Sequence, residues 1–491
     1  MDADRGDAAP VGGPRGARGD GSPRQILWLV AAGLAFTAAQ LLFVSLRMGL
    51  SWDETVYVSQ VSGHAPAAWF DPARARGVPL LVAPVAALTS SVTALRVYLS
   101  VASGLGLTLA LWTWRGLRPA WVLGLAGLAF GGLWVAEYYG PQAMPDMWSA
   151  LGGLAAVGCF LRWIRNGRGN LALAGLGASV AWVTLVRPGD AVYLAAPLIV
   201  AAIVFWRRLA FRRRLAPVVV IAGGLLAGGA EWVIEAYARF GGISRRLRAA
   251  GAEQGGFGLH FALPDELRAL NGPTLCRPCT VGVRDPVLDL WWFLLPVLVA
   301  VGILAARGAG QLGSALLPAV CGLCLAVQYL LMIDYAAPRF LLPAYALFAI
   351  PVADGLAFLA TGGYGSLATG GRWEVRPAAA AAVTCLLAVQ LVTQHLVLDH
   401  EVGGTVRYHD DYTRIAAVLA ARGVRPPCLI KGVQYIPIAF YAGCASAGNA
   451  TAGEHAALLV QAGRRPASYA RNWSAYRITG TTVLKVSAYI R

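Results

Sequence analysis

Trp52-Asp53-Glu54-Thr55-Val56-Tyr57 sets two adjacent carboxylates among aromatic rings just past the first long apolar run of the chain. A carboxylate at a membrane boundary can take the proton from a hydroxyl as that hydroxyl attacks, which is general-base chemistry. Adjacent side chains point to different sides of a helix or strand, so Asp53 is the candidate base and Glu54 its support. The alternative is that the pair only caps a short interfacial helix. Asp146, after Met144-Pro145, completes the candidate catalytic set of acids, with helix N-capping as its plainer role. Arg339, in Asp334-Tyr335-Ala336-Ala337-Pro338-Arg339, enters an apolar run and needs a partner there. A phosphate fits, because guanidinium matches its oxygens as a bidentate fork; a bridge to Asp334 or simple snorkelling are the alternatives. Arg187 offers the same chemistry, with Asp190 close by to neutralise it.

Such groups need elements to hold them, and the composition says which. With 57% hydrophobic residues, 13% charged residues and a mean hydropathy of +0.58, the chain reads as an integral membrane protein. Apolar runs of helical length are expected at 25–46, 93–113, 120–138, 147–164, 171–186, 190–206, 216–236, 288–306, 312–333, 340–360 and 377–397. These runs are too long and too uniformly apolar for barrel strands, so the expected fold is an all-α polytopic bundle of about eleven transmembrane helices.

Residues 1–24 read as a disordered basic leader, and every second connection after the first span is rich in arginine, from Arg115 and Arg118 through Arg162 and Arg165 to Arg372 and Arg376. The positive-inside rule then puts the N-terminus in the cytoplasm and the C-terminus outside. A net charge of +16 spread over such loops finds its counterions in lipid headgroups, which argues against nucleic acid as a partner.

Within the membrane domain, 25–397, two outer loops are large, 47–92 and 237–287, and residues 398–491 form a small extracytoplasmic α/β domain. In the first loop, 78–89 is too short to cross and reads as interfacial or re-entrant. In the tail, a short amphipathic helix is expected at 412–422, a strand at Cys428-Leu429-Ile430 and another at 482–486. Cys276 with Cys279, and Cys428 with Cys444, fall on the outer side, where structural bridges, free thiols, or for the Cys-x-x-Cys a redox or zinc role, are open.

Taken in order, Asp53-Glu54-x-x-Tyr57, Met144-Pro145-Asp146 and Pro338-Arg339-Phe340-Leu341-Leu342-Pro343 resemble the motifs of GT-C glycosyltransferases that use polyprenyl-phosphate sugars, near protein O-mannosyltransferases and aminoarabinose transferases. The resemblance covers about residues 25–360, with Phe340 where the family pattern has tyrosine. It implies an inverting transfer at the outer membrane face from a polyprenyl-phosphate sugar, mannose favoured, to a hydroxyl acceptor on protein, peptide, glycan or lipid. Asp53 would be the base, Asp146 a second acid, and Arg339, with Arg187, the donor-phosphate ligands. Tyr57 belongs to the first motif, and His64, Arg74 and Arg76 of the same loop would either add polar contacts or, as the plainer reading, sit as solvated loop residues. Held by cations, a phosphodiester leaves without a nucleotide or cofactor, and the motifs call for no divalent metal.

Two other classes fit parts of the pattern. A flippase of lipid-linked sugars would share the basic loops but should carry ionisable residues along a path through the bilayer, where Glu231 and Glu235 are the main candidates. A non-catalytic scaffold of envelope assembly would use Asp53 only as a cap.

Overall fold

The computed structural model describes residues 23–167, 169–205, 210–256, 258–367, 375–446 and 455–491. Most of the leader, with Arg5, Arg15 and Arg18, and the loop residue Arg372 lie outside them. α1 (Pro23–Phe43) occupies the first expected span, and the loop after it carries α2 (Trp52–Ser59) and α3 (Gly77–Ala86). α4 (Val92–Trp112) is followed by α5 (Ala120–Gly131) and α6 (Trp134–Tyr139), then by α7 (Pro145–Asn166), α8 (Asn170–Val186), α9 (Pro188–Val200) and α10 (Phe211–Phe240). The second large loop holds α11 (Ile243–Glu253) and α12 (Leu263–Ala269); α13 (Leu290–Gly308), α14 (Leu312–Leu331), α15 (Leu342–Thr361) and α16 (Pro377–Ala421) complete the bundle.

Among the described residues eight helices are long and apolar enough to cross a membrane, while α3, α5, α8 and α9 are apolar but shorter. The expected span at 120–138 is therefore corrected to two helices, broken at Gly132-Leu133. The break is held by α16, where Gln394 Oε1 accepts a hydrogen bond from Trp134 N–H at 3.0 Å and so satisfies an orphan donor of α6.

α7 and α15 form the centre, with 83% and 94% of their most apolar stretch buried, whereas only 11% of that of α13 is buried. Peripheral helices of this kind turn bare Leu, Val and Ile faces outward, as hydrocarbon solvent permits. Small residues let backbones touch: a Cβ at Gly302 of α13 would fall 1.7 Å from the Pro351 carbonyl oxygen of α15.

The tail differs most from expectation. Residues 412–421 are not a separate short helix but the last turns of α16, a single helix of 45 residues, so the expected domain limit at 397/398 falls inside it. Beyond it come β1 (Cys428–Gly432), α17 (Tyr435–Ala442), β2 (Ala445–Ser446), β3 (His455–Gln461), β4 (Ser474–Arg477) and β5 (Val486–Ile490). The sheet order is β2-β1-β3-β5-β4, parallel about β1 and antiparallel about β5. Of the strand expected at 482–486 only Val486 is found in one, as the first residue of β5, and 482–485 form a loop wrapped round a carboxylate. Asp411 accepts hydrogen bonds from the backbone N–H groups of Thr482, Val483 and Leu484 at 2.8, 2.7 and 2.8 Å, leaving those residues unable to pair in a sheet. Both loop and tail cysteine pairs, Cys276–Cys279 and Cys428–Cys444, are disulfides.

The tail packs on the first loop. Leu50 N–H donates to Tyr441 Oη at 2.7 Å, His409 Nδ1 lies 2.8 Å from Gly49 O, and a Cβ at Gly49 would fall 2.9 Å from Tyr441 Oη. Because hydrogen bonds to a charged group contribute about 1.5–3 kcal/mol each, Asp411→Ala is expected to loosen the tail by at least ~2 kcal/mol. Limited proteolysis should then cut beyond Ala421 while the bundle stays protected.

Candidate active site

α2 starts with a capping box: Ser51 Oγ accepts from Glu54 N–H at 3.4 Å and Glu54 Oε2 from Ser51 N–H at 3.0 Å. The same carboxylate is fully buried against Arg96 of α4, bonded to Nη1 and, at 2.9 Å, to Nη2, and it accepts from Ala143 N–H at 2.9 Å. Burial raises the Glu54 pKa, but Arg96 and the backbone donors outweigh it and hold the carboxyl below its ordinary value. Glu54 is thus corrected from the catalytic set to a sealed positioning group, its lone pairs spent on protein. Arg96 also donates to the carbonyls of Met48, Gly49 and Pro141. It drew no notice in the sequence, although a lone cation within the second apolar run was a legible signal.

Asp53, the residue before Glu54, is only partly covered, its side chain 30% exposed. Arg74 Nη2 donates to Oδ1 at 2.7 Å and Arg339 Nη2 to Oδ2 at 3.2 Å. Burial raises its pKa, yet the two guanidiniums more than offset this and hold it below the usual carboxylate range. Arg339 also reaches Asp146 Oδ2, 3.6 Å from its Nε, so one side chain spans both acids. Asp146 lies in the first turn of α7 and caps nothing; its Oδ1 takes a hydrogen bond from Arg187 Nη1. Arg187 is 3.6 Å from Asp190, whose carboxylate is already bonded by Ser149, Gln328 and Tyr329 at 2.6, 2.7 and 2.5 Å. Arg339 meets neither of its plainer fates, since its carboxylate partners are Asp53 and Asp146 rather than Asp334.

The segment before Arg339 is fixed by the second large loop. Cys276 and Ala336 exchange backbone hydrogen bonds at 2.9 and 3.3 Å, and Thr274 O accepts from Arg339 Nη1 at 3.3 Å. Phe340 stacks on Tyr329 at 4.8 Å, and Arg187 lies 5.0 and 5.1 Å from those two ring centres. Beside this turn, Glu266 of α12 is fully buried, its pKa pushed up to about 8 by burial against the smaller pull of Ala337 N–H and Arg339.

Of the first-loop candidates, Tyr57 borders the acids, with the Arg74 guanidinium 4.9 Å from its ring centre. His64 does not reach the site and packs on Phe440 at 5.3 Å. Arg76 is likewise turned away, bonded to Glu235 at 2.6 Å and Gln60 at 2.9 Å, which ties the loop to α10. Arg74, one residue pair earlier, makes the contact with Asp53 instead. Among the described residues, no three His, Cys, Asp or Glu side chains gather as a metal site.

Three cavities meet here. One of about 240 Å³ is lined by Asp53, Tyr57, Arg74, Asp146, Arg187 and Arg339. Arg187 is shared with a second, about 370 Å³, whose walls include Tyr193, Trp232, Leu247, Met332 and Ile333. Asp53 and Arg339 are shared with a third, about 600 Å³, that opens toward α16 and the tail. An apolar groove, a chamber of paired arginines and carboxylates, and a wide cleft thus follow one another, with Asp53 on the last boundary.

The same arrangement of helices, loops and tail occurs in ArnT from Cupriavidus metallidurans, whose apo structure superposes with a TM-score of 0.61 over 94% of this chain and 97% of that one at 13% identity. The chain has the GT-C fold. ArnT bound to undecaprenyl phosphate matches with a TM-score of 0.59 over 94% and 98% of the two chains, again at 13% identity. The archaeal oligosaccharyltransferase AglB from Archaeoglobus fulgidus, solved with an inhibitory peptide and a dolichol-phosphate, matches at 0.51 over 87% and 65%, at 13% identity. No protein-family model matches the sequence, and no curated protein matches it in a sequence search. At such identity the GT-C likeness is one of fold, and the residue roles rest on their geometry.

Glu54→Gln is expected to leave Arg96 as a buried unpaired charge and to cost roughly 3–5 kcal/mol, read as a lower melting temperature in detergent. Asp53→Asn should leave the melting temperature within a few degrees. Glu266 separates by pH: since its folded pKa lies above its unfolded one, the cost of keeping it protonated is absent below about pH 4.5 and grows until about pH 8. Glu266→Gln should therefore match the parent protein at pH 4 and melt progressively higher than it toward pH 8.

Proposed function

We propose that the protein is a glycosyltransferase that moves a sugar from a polyprenyl-phosphate donor to a hydroxyl acceptor, with inversion at the anomeric carbon. The observation that carries this reading is that Asp53 and Arg339 stand on the wall shared by the arginine-bearing chamber and the wide cleft, while Arg187 joins the chamber to the apolar groove. A polyprenyl chain suits the groove, its phosphate the chamber between Arg187 and Arg339, and the acceptor the cleft.

In the step, Asp53 takes the proton from the acceptor hydroxyl as its oxygen attacks the anomeric carbon. The bond from that carbon to the phosphate oxygen breaks, its electron pair stays on phosphate, and polyprenyl phosphate leaves with an added negative charge. Arg187 and Arg339 are placed to stabilise that charge where it develops. Asp146 sets the poise of both arginines rather than touching the acceptor. Positive charge for the leaving group comes from guanidiniums, and the reading includes no divalent metal and no cofactor.

The donor also activates the base. Without substrate, Arg74 and Arg339 hold Asp53 in a weakly basic state; a phosphate drawn onto Arg339 takes part of that stabilisation away and raises the Asp53 pKa. Mannose is the favoured sugar, by family resemblance. The orientation that fits the arginine-rich turns keeps the N-terminus in the cytoplasm and the site outside it.

Asp53→Asn should lower turnover ~10²–10⁴-fold in transfer from a panel of radiolabelled polyprenyl-phosphate sugars by the purified protein. Unchanged turnover removes Asp53 from the chemistry, and no transfer from any donor removes the reading. Because kcat reports the complex and kcat/KM the free enzyme, the acid limb of kcat is expected at higher pH than that of kcat/KM.

A further inference from the structure

We infer that the wide cleft is a saccharide site, so that the acceptor hydroxyl belongs to a neutral glycan; this rests on the transfer reading above and names its acceptor class. The cleft, at about 600 Å³, falls in the range of ~300–1,000 Å³ that small-molecule sites occupy. On its walls Trp52 and Tyr408 are part-exposed, rings that suit the C–H faces of sugars, and the buried Tyr138, Tyr139 and Tyr412 back them. Between them are flat polar groups that both donate and accept, the side-chain amides of Gln142 and Gln434, together with the Glu401 carboxylate. Vicinal hydroxyls, each a donor and an acceptor, are the partners such groups match.

Other acceptors fit the walls less well. A peptide held by strand addition needs a free sheet edge, and none of the described strands contributes a lining residue. A phosphorylated lipid or anionic polymer needs several free cations; Arg339 is committed to Asp53 and Asp146, and Arg407 is the one further arginine on the wall. A lipid hydroxyl would want an apolar floor, which Trp52 and the tyrosines interrupt with polar tips.

Gln434 marks the reading end of this site. It precedes α17 with φ +48°, a left-handed backbone that costs a residue with a side chain of order 1 kcal/mol or more. That conformation places its Oε1 to accept from Tyr412 Oη at 3.2 Å and its side chain on the cleft wall. The tail thereby supplies part of the acceptor surface, opposite the base supplied by the first loop.

The test is binding of neutral di- and trisaccharides of hexoses and pentoses to the full-length protein in detergent, without donor, by ligand-observed saturation-transfer NMR and tryptophan fluorescence. Serine- and threonine-containing peptides of matched size are the comparison. Saturable binding of saccharide and not of peptide is expected, weakened at least tenfold by Trp52→Ala and by Gln434→Ala, with Trp52→Phe recovering part of the loss. Variants that fail to elute as monodisperse protein are replaced by Gln434→Glu, which keeps size but removes the amide donors. Peptide binding with no saccharide binding, no binding of either, or saccharide binding that ignores both residues overturns the inference. Failure of the transfer reading is distinct: saccharides would bind through Trp52 and Gln434 while no polyprenyl-phosphate sugar is consumed.

Discussion

The pair formed by Glu54 and Arg96 is the constraint on which the site depends. Neither side chain touches solvent, and between them they bind the start of α2, the chain at Met48 and Gly49, and the turn at Pro141 to Ala143. Asp53 precedes Glu54 by one residue and Asp146 follows Ala143 by three, so both acids inherit their positions from this one contact. A buried ion pair is a poor source of net stability, because desolvation offsets most of its attraction. What it contributes here is placement, because its bonds reach α2, the chain at Met48 and Gly49 and the Pro141–Ala143 turn at once.

On that frame the site keeps charge in balance. Arg74, Arg187, Arg277 and Arg339 line the chamber with Asp53, Asp71, Asp146 and Glu253, and Arg74, Arg187 and Arg339 each touch two carboxylates. Such a set needs no counterion, and in the proposed function an entering phosphate would compete with the carboxylates for the same donors. The exchange would swap one charge-assisted contact for another, which keeps the cost of admitting an anion low.

The bundle was legible because hydrocarbon imposes one rule everywhere: about twenty apolar residues per crossing. The rule fails at α5 and α6, where a side chain from α16, distant in sequence, takes over a backbone donor and lets the helix break. Asp53, Asp146 and Arg339 were legible because ionisable residues next to apolar runs are costly without a function. Arg74 and Arg76 were not separable, since two arginines one residue apart in a loop look alike until the fold sends one to Asp53 and the other to Glu235. The strand expected from 482 misled for a similar reason: Thr482, Val483 and Leu484 are recruited by Asp411, 71 to 73 residues away, an interaction that no local pattern reports, and the strand starts only at Val486.

α16 runs unbroken for 45 residues, about 68 Å at 1.5 Å per residue, more than twice the thickness of a hydrocarbon core. A continuous helix does not bend like a linker, so the tail rides at a set height and azimuth above the bundle. α16 is in effect a gauge. The opening of the cleft is held at one standoff from the lipid surface, and in the proposed transfer an acceptor would have to present its hydroxyl at that altitude, whatever the length of the molecule that carries it.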